Sequence, residues 1–171
     1  SVFGYSGAAN NVAWLHDSAD KDTLAGHMLA PRLFGSGFSN LASGFTRVYS
    51  VATAGEDKLN MGDSAADDVV TITPGLTTLV GGGILVQANG FVSQVVRSEQ
   101  GGIDTVYLRA SGSWNTVNMF DTFTGMSNSQ ANWFQRASSF ANTLVELSGT
   151  GTDNSVYVSA PINGASQQME F

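Results

Sequence analysis

The chain of 171 residues has no cysteine, three prolines and only seven basic residues. Without cysteine there are no disulfides and no thiolate metal sites, although the compartment stays open. Charged residues make up 12%, about half the usual share, and the net charge is -7. A chain this acidic and this poor in Lys and Arg does not suit a phosphate backbone, so nucleic acid is not an expected partner. No apolar run approaches the roughly 18 residues of a membrane span. There is no N-x-S/T acceptor, so N-glycosylation is not supported. Residue 1 is Ser, with no signal peptide and no initiator Met, so the sequence reads as a processed product or as a piece of something longer.

Hydrophobic residues account for 42% of the chain, enough for a substantial core, and Gly, Ser, Thr and Asn fill the share that charge leaves. That mix favours strands and turns. Ser, Thr and Asn compete for backbone hydrogen bonds, and Gly is entropically costly in a helix.

The chain repeats itself. "DKLNMGDSAADD" (57–68) lies over "NVAWLHDSADKD" (11–22) at a shift of 46, which puts Asp17-Ser18-Ala19 on Asp63-Ser64-Ala65. The same shift carries Leu33 to Leu79, Gly35 to Gly81, and Gly44-Phe45 to Gly90-Phe91. A third copy starts at "DTVYLRAS" (104–111) and a fourth at "NSVYVSA" (154–160). "VFGYSGAANN" (2–11) matches "VYSVATAGED" (48–57) at the first shift, so residues 1–10 are the last strand of a unit. Full units follow at 11–56, 57–103 and 104–153, and 154–171 is a partial one. The whole of 1–171 is expected to be a single repeat domain.

Two aligned columns, Ala13/Leu59/Val106/Val156 and Leu15/Met61/Leu108/Val158, are apolar throughout, and the residues between them belong to the opposite face of a strand. Phe45/Phe91/Phe140 form a third column. Strand-period repeats with aligned apolar columns predict an all-β fold, a β-solenoid resembling a parallel β-helix. A unit of about 47 residues is too long for one coil, so about two coils per unit are expected. A β-sandwich is the alternative, since turns every 8–12 residues also fit it. One stretch, 126–146, carries a helical face through Trp133, Phe134, Ala137 and Phe140, although it aligns with strand-like stretches in the other copies.

The run "DSADKDT" (17–23), "LFGSGFSN" (33–40), "GF" (44–45) and "VYSVATAGED" (48–57) resembles the repeats of very large bacterial surface proteins of planctomycete type. The resemblance is close over 11–57, weaker over 57–103 and faint beyond 104, where Trp114 and Asn115 stand at positions that are acidic in the pattern. It implies an exported, extended, repetitive protein at the cell surface or outside the cell, and it implies no catalytic residue.

The acidic turns are the first candidate site. Asp17, Asp20 and Asp22, and likewise Asp63, Asp67 and Asp68, could supply hard oxygen ligands to calcium. The competing reading is that Asp satisfies backbone donors in tight turns. The third turn, "SGSWN" (111–115), has no acid. The second candidate is the outward column Trp14, Asn60, Tyr107 and Tyr157, whose aromatics on a flat sheet would stack on sugar rings or dock a partner chain. Arg97 and Glu146 are equivalent positions and candidates for a surface pair. His16 and His27 have no partner motif, and there is no G-x-S-x-G elbow.

Val2, Phe3 and Tyr5 at one end, with Met169 and Phe171 at the other, leave both termini apolar. A solenoid end exposes a strand edge and a slice of core. Either neighbouring repeats of a longer chain cover these ends or copies stack end to end, and the second contact propagates into a filament. The functional expectation is a structural cell-surface or extracellular protein acting as a rigid spacer, filament or adhesive stalk, not an enzyme. The alternative is a carbohydrate-binding or polysaccharide-cleaving β-helix with glycan partners. No cofactor is required by either, calcium excepted.

Overall fold

The structure, a computed structural model, describes residues 2–5, 10–120, 122–148, 154–158 and 166–170. These residues form strands and turns with no helix, arranged as a two-sheet β-solenoid.

The chain crosses back and forth between the sheets. β1 (Val2–Tyr5) lies in the first and β2 (Val12–His16) in the second. β3 (Thr23–His27), β4 (Arg32–Gly35) and β5 (Phe38–Ser43) then form an antiparallel meander in the first sheet. β6 (Arg47–Val51) returns to the second sheet and β7 (Lys58–Gly62) to the first. The next meander, β8 (Val69–Thr73), β9 (Gly75–Gly81) and β10 (Ile84–Phe91), is built into the second sheet. β11 (Ser93–Arg97) and β12 (Thr105–Ser111) follow in the first and second. A third meander, β13 (Asn115–Met119), β14 (Phe123–Asn128) and β15 (Trp133–Ser138), is again in the first sheet. β16 (Asn142–Ser148), β17 (Ser155–Val158) and β18 (Ser166–Glu170) alternate to the end.

Successive visits to a sheet pair in parallel: β3 with β7, β7 with β11, β8 with β12, β12 with β16. A meander of three strands leaves the chain running in the direction in which it entered, so the parallel stacking continues across it. Each full unit thus makes three visits: a lone strand, a meander and a lone strand. That is one and a half circuits, set beside the two expected from unit length. The difference is the meander, which spends two strands inside one sheet instead of crossing over. Because three is odd, each unit begins on the sheet opposite to its predecessor, and neighbouring units are related by a half-turn about the long axis.

The strands form because the residues alternate. In β12, Val106, Leu108 and Ala110 point into the core while Arg109 is exposed. In β8, Val70 and Ile72 are buried and Val69 faces out. Leu24, Leu33, Leu59, Met61, Leu79 and Phe91 are fully enclosed between the sheets, and each such side chain contributes roughly 1.5–3 kcal/mol. The stretch 126–146 is strand, not helix. Met126, Gln135 and Ala137 are buried at alternate positions while Phe134 is exposed, the period of a pleat. The residue before each core Phe takes a left-handed turn, with φ of 75° at Gly44, 90° at Gly90 and 65° at Ser139. Glycine adopts that conformation freely, which explains the Gly-Phe column, and Ser139 adopts it under strain.

Candidate metal centres

Each acidic turn joins a lone strand to a meander. Asp17 follows β2 and Asp22 immediately precedes β3; Asp63 follows β7 and Asp68 immediately precedes β8. The register then brings in a third carboxylate from the next unit. Thr23 pairs with Lys58 and Val69 with Thr105, so Asp22 comes to lie beside Asp57, and Asp68 beside Asp104. The backbone N–H of Asp22 donates to Asp57 Oδ1 at 2.7 Å, and that of Asp68 to Asp104 Oδ1 at 2.8 Å. Asp17 accepts from the Thr53 N–H at 2.6 Å, and Asp63 from the N–H groups of Glu99 and Gln100, each at 3.0 Å.

Two triads result, Asp17/Asp22/Asp57 and Asp63/Asp68/Asp104, each with one oxygen per residue inside a 4.8 Å span. Five of the six carboxylates are buried and Asp17 is half-buried. Among the described residues no ion pair reaches any of them; the three that form join Lys21 to Glu56, Arg97 to Glu99 and Arg109 to Glu146. At such a separation, with an effective dielectric near 20, two unit charges repel by roughly 3–4 kcal/mol. The Asp57 carboxyl is accordingly raised above its ordinary range, first by burial and then by the charges of Asp17 and Asp22, against the opposing pull of the Asp22 N–H.

Two of these oxygens, Asp22 Oδ1 and Asp63 Oδ2, are buried with no hydrogen-bond donor. Gly35 and Gly81 stand across from Asp22 and Asp68: a Cβ added there would fall 1.6 Å and 1.3 Å from an Asp Oδ1. The aligned glycines are therefore the floor of the two acidic turns.

The third turn has the same backbone with different chemistry. Ala110, Asn115 and Asn154 replace the carboxylates, and Asn128 replaces the glycine. The Asn115 N–H donates to Asn154 Oδ1 at 3.0 Å, matching the bond in the two triads. Asn128 Nδ2 donates to Asn115 Oδ1 at 3.1 Å, supplying a donor that Asp22 Oδ1 does not have.

The structure thus brings together Asp17 with Asp22 and Asp63 with Asp68. Asp20 and Asp67 belong to neither triad. Both are exposed at the tip of the turn, and Asp67 Oδ1 is engaged by the Ile103 N–H at 2.8 Å. Asp57 and Asp104 were not among the sequence candidates. They sit 35 and 36 residues from their partners, Asp22 and Asp68. Their signal was their own alignment as the acid that opens consecutive units.

The outward aromatics do not share a face. Trp14 and Tyr107 are in the second sheet, about 24 Å apart by five strand spacings, and Tyr157 is in the first. Trp14 is 60% exposed and stacks on Tyr49 at 4.7 Å, with His16 beside it at 6.3 Å. Tyr107 is half-covered by Arg109, 5.1 Å from its ring. Arg97 and Glu146 do not pair, because the half-turn puts β11 and β16 in different sheets. Val2, Phe3 and Tyr5 fall in β1 at one end of the first sheet, and Met169 in β18 at the far end of the second. Their side chains, and Phe171 altogether, lie outside the described residues.

A separate groove of about 350 Å³ crosses the first sheet and is lined by Trp133, Phe134, Asn128, Asn132, Glu56 and Lys58. The Glu56 carboxyl is held below its usual range by the hydrogen bond and charge of Lys21. No family model, curated protein or solved structure matches the chain.

Proposed function

We propose that this chain is a rigid structural segment of a repetitive protein at the cell surface or in the extracellular matrix, serving as a spacer, filament or adhesive stalk. The observation that carries this reading is the unbroken ladder from unit to unit in both sheets over one continuous core. Each unit adds three strands to one sheet and two to the other, and the half-turn evens them. A pair of units therefore lengthens both sheets by five strands, roughly 24 Å at ordinary strand spacing. Nothing in this scheme limits the number of units. At the β1–β2 end, an apolar slot of about 270 Å³ lined by Ala13, Leu15, Leu41 and Phe45 would receive a preceding unit of a longer chain or the end of a second copy. The resemblance to repeats of large surface proteins agrees with this use.

Small-angle scattering on this chain and on a tandem duplicate tests the mechanical part. The maximum dimension should grow by about 12 Å for each added unit. A duplicate that scatters as two loosely tethered bodies would sink the spacer reading. Electron microscopy of the same samples shows whether the ends stack into filaments.

A second reading, glycan binding, has one specific support: the groove with Trp133 and Phe134 beside the exposed Asn132 amide. Aromatic faces and amides suit sugar rings. Calorimetric titration with acidic and neutral polysaccharides decides the matter. Heat with any of them that vanishes in Trp133→Ala would put glycan binding first.

A further inference from the structure

We infer that Asp17/Asp22/Asp57 and Asp63/Asp68/Asp104 are two calcium sites that clasp successive units of the solenoid, and that the third turn is the same joint rebuilt to work without a cation. Each triad draws two carboxylates from one unit and one from the next, so an ion held there would bridge the junction between them. The donor set of each triad is three carboxylates, oxygen only and buried except for the half-buried Asp17, which suits a hard divalent cation and offers nothing to a soft one. Most of these oxygens already have donors: Thr53 holds both oxygens of Asp17, Ser18 holds Asp22 Oδ2, Ser64 holds both oxygens of Asp68, the Glu99 and Gln100 N–H groups hold Asp63 Oδ1, and the Ser98 hydroxyl holds Asp104 Oδ2. One oxygen in each triad, Asp22 Oδ1 in the first and Asp63 Oδ2 in the second, is left buried without a donor. Turn geometry alone does not require such oxygens. Capping accounts for the bonded oxygens and leaves these two unexplained.

The third turn makes the argument within one molecule. There the acids have become Ala110, Asn115 and Asn154, and the opposing glycine has become Asn128. Its amide supplies the donor that Asp22 Oδ1 lacks in the first triad, and Ala110 removes the oxygen that is unpaired on Asp63 in the second. Asn115 Nδ2 also donates to the Gly112 carbonyl at 3.0 Å. Charge and unpaired oxygen have disappeared together, while the backbone bond from residue 115 to residue 154 persists. A turn that needed acids for its shape would not tolerate this exchange.

The test is calorimetric titration of calcium into chelator-treated protein, with magnesium as a parallel arm. Calcium should bind with two ions per chain, and magnesium more weakly. Asp104→Asn should leave one ion, and the double variant Asp57→Asn/Asp104→Asn none. Asn keeps the acceptor that Asn154 provides in the third turn, and circular dichroism checks that the double variant is folded. Wild-type melting gives a second readout free of any variant. At a hundredfold excess over Kd each site should raise the midpoint by roughly 5–10 °C over chelator. No calcium heat at millimolar concentration, an unchanged midpoint, or two ions still bound by a folded double variant would each overturn the assignment.

Discussion

At Gly35 and Gly81 the absence of a side chain leaves room for a carboxylate oxygen, and this separates them from the glycines that serve turns. Neither is in a left-handed conformation, so Ala would ordinarily strengthen the strand. Here its methyl would displace Oδ1 of Asp22 or Asp68. We expect Gly35→Ala and Gly81→Ala each to cost about 1–3 kcal/mol in urea unfolding, the range for overpacking. A gain in stability would show that the acidic turn yields freely. Gln135 presents the opposite case. It is buried in β15 and neither its amide nitrogen nor its oxygen has a partner. Replacing it by Met removes an unsatisfied polar group of similar length, so Gln135→Met should raise stability by about 1–2 kcal/mol, seen as a higher melting midpoint. Residue alternation in the sequence pointed to Leu15, Met61 and Leu108 as core, and all three are buried. The third member of each triad could not be read in the same way. Asp57 and Asp104 meet their partners only through strand register, a long-range property that no local spacing encodes.

Among the strands, protection from hydrogen exchange should follow position in the sheet and not position in the chain. β7, β8, β11 and β12 have neighbours on both sides, whereas β2 and β17 are the last described strands of their sheets. Exchange monitored by mass spectrometry should be slowest in the first group and fastest in the second. Calcium should slow exchange further along the β3–β7 and β8–β12 ladders and leave β13–β17, whose joint is Ala110, Asn115 and Asn154, unchanged. Uniform protection on all three ladders would speak for general stabilisation instead of clasped junctions. The individual strands were legible because apolar columns recurred at a shift of 46 residues. The meanders were not, since β4 and β9 look in sequence like any other short strand between glycines. The helical face at 126–146 was a local coincidence, and the alignment of that stretch with strands in the other copies was the better guide. Stacked on β11, β15 alternates by the pleat, with Gln135 and Ala137 buried and Phe134 exposed, so Phe134 leaves the face on which Ala137 lies.

For the molecule as a whole, stability should divide along the axis, as in other repeat arrays where each unit contacts only its neighbours. With calcium bound, the first two junctions hold and unfolding should be a single transition; in chelator it should broaden or split, the part beyond β13 keeping its own midpoint. Calorimetry in the two buffers makes the comparison, and superimposable curves would refute it. Meanders placed alternately in the first, second and first sheets also give the array a parity. An even number of units returns the chain to the side on which it started, and an odd number delivers whatever follows to the opposite side. Losing or gaining a pair of units would then change only reach. Losing or gaining one would change reach by half as much and turn every downstream surface over. Length in such a protein can drift by twos without consequence for which way its far end faces, and a single step rewrites it.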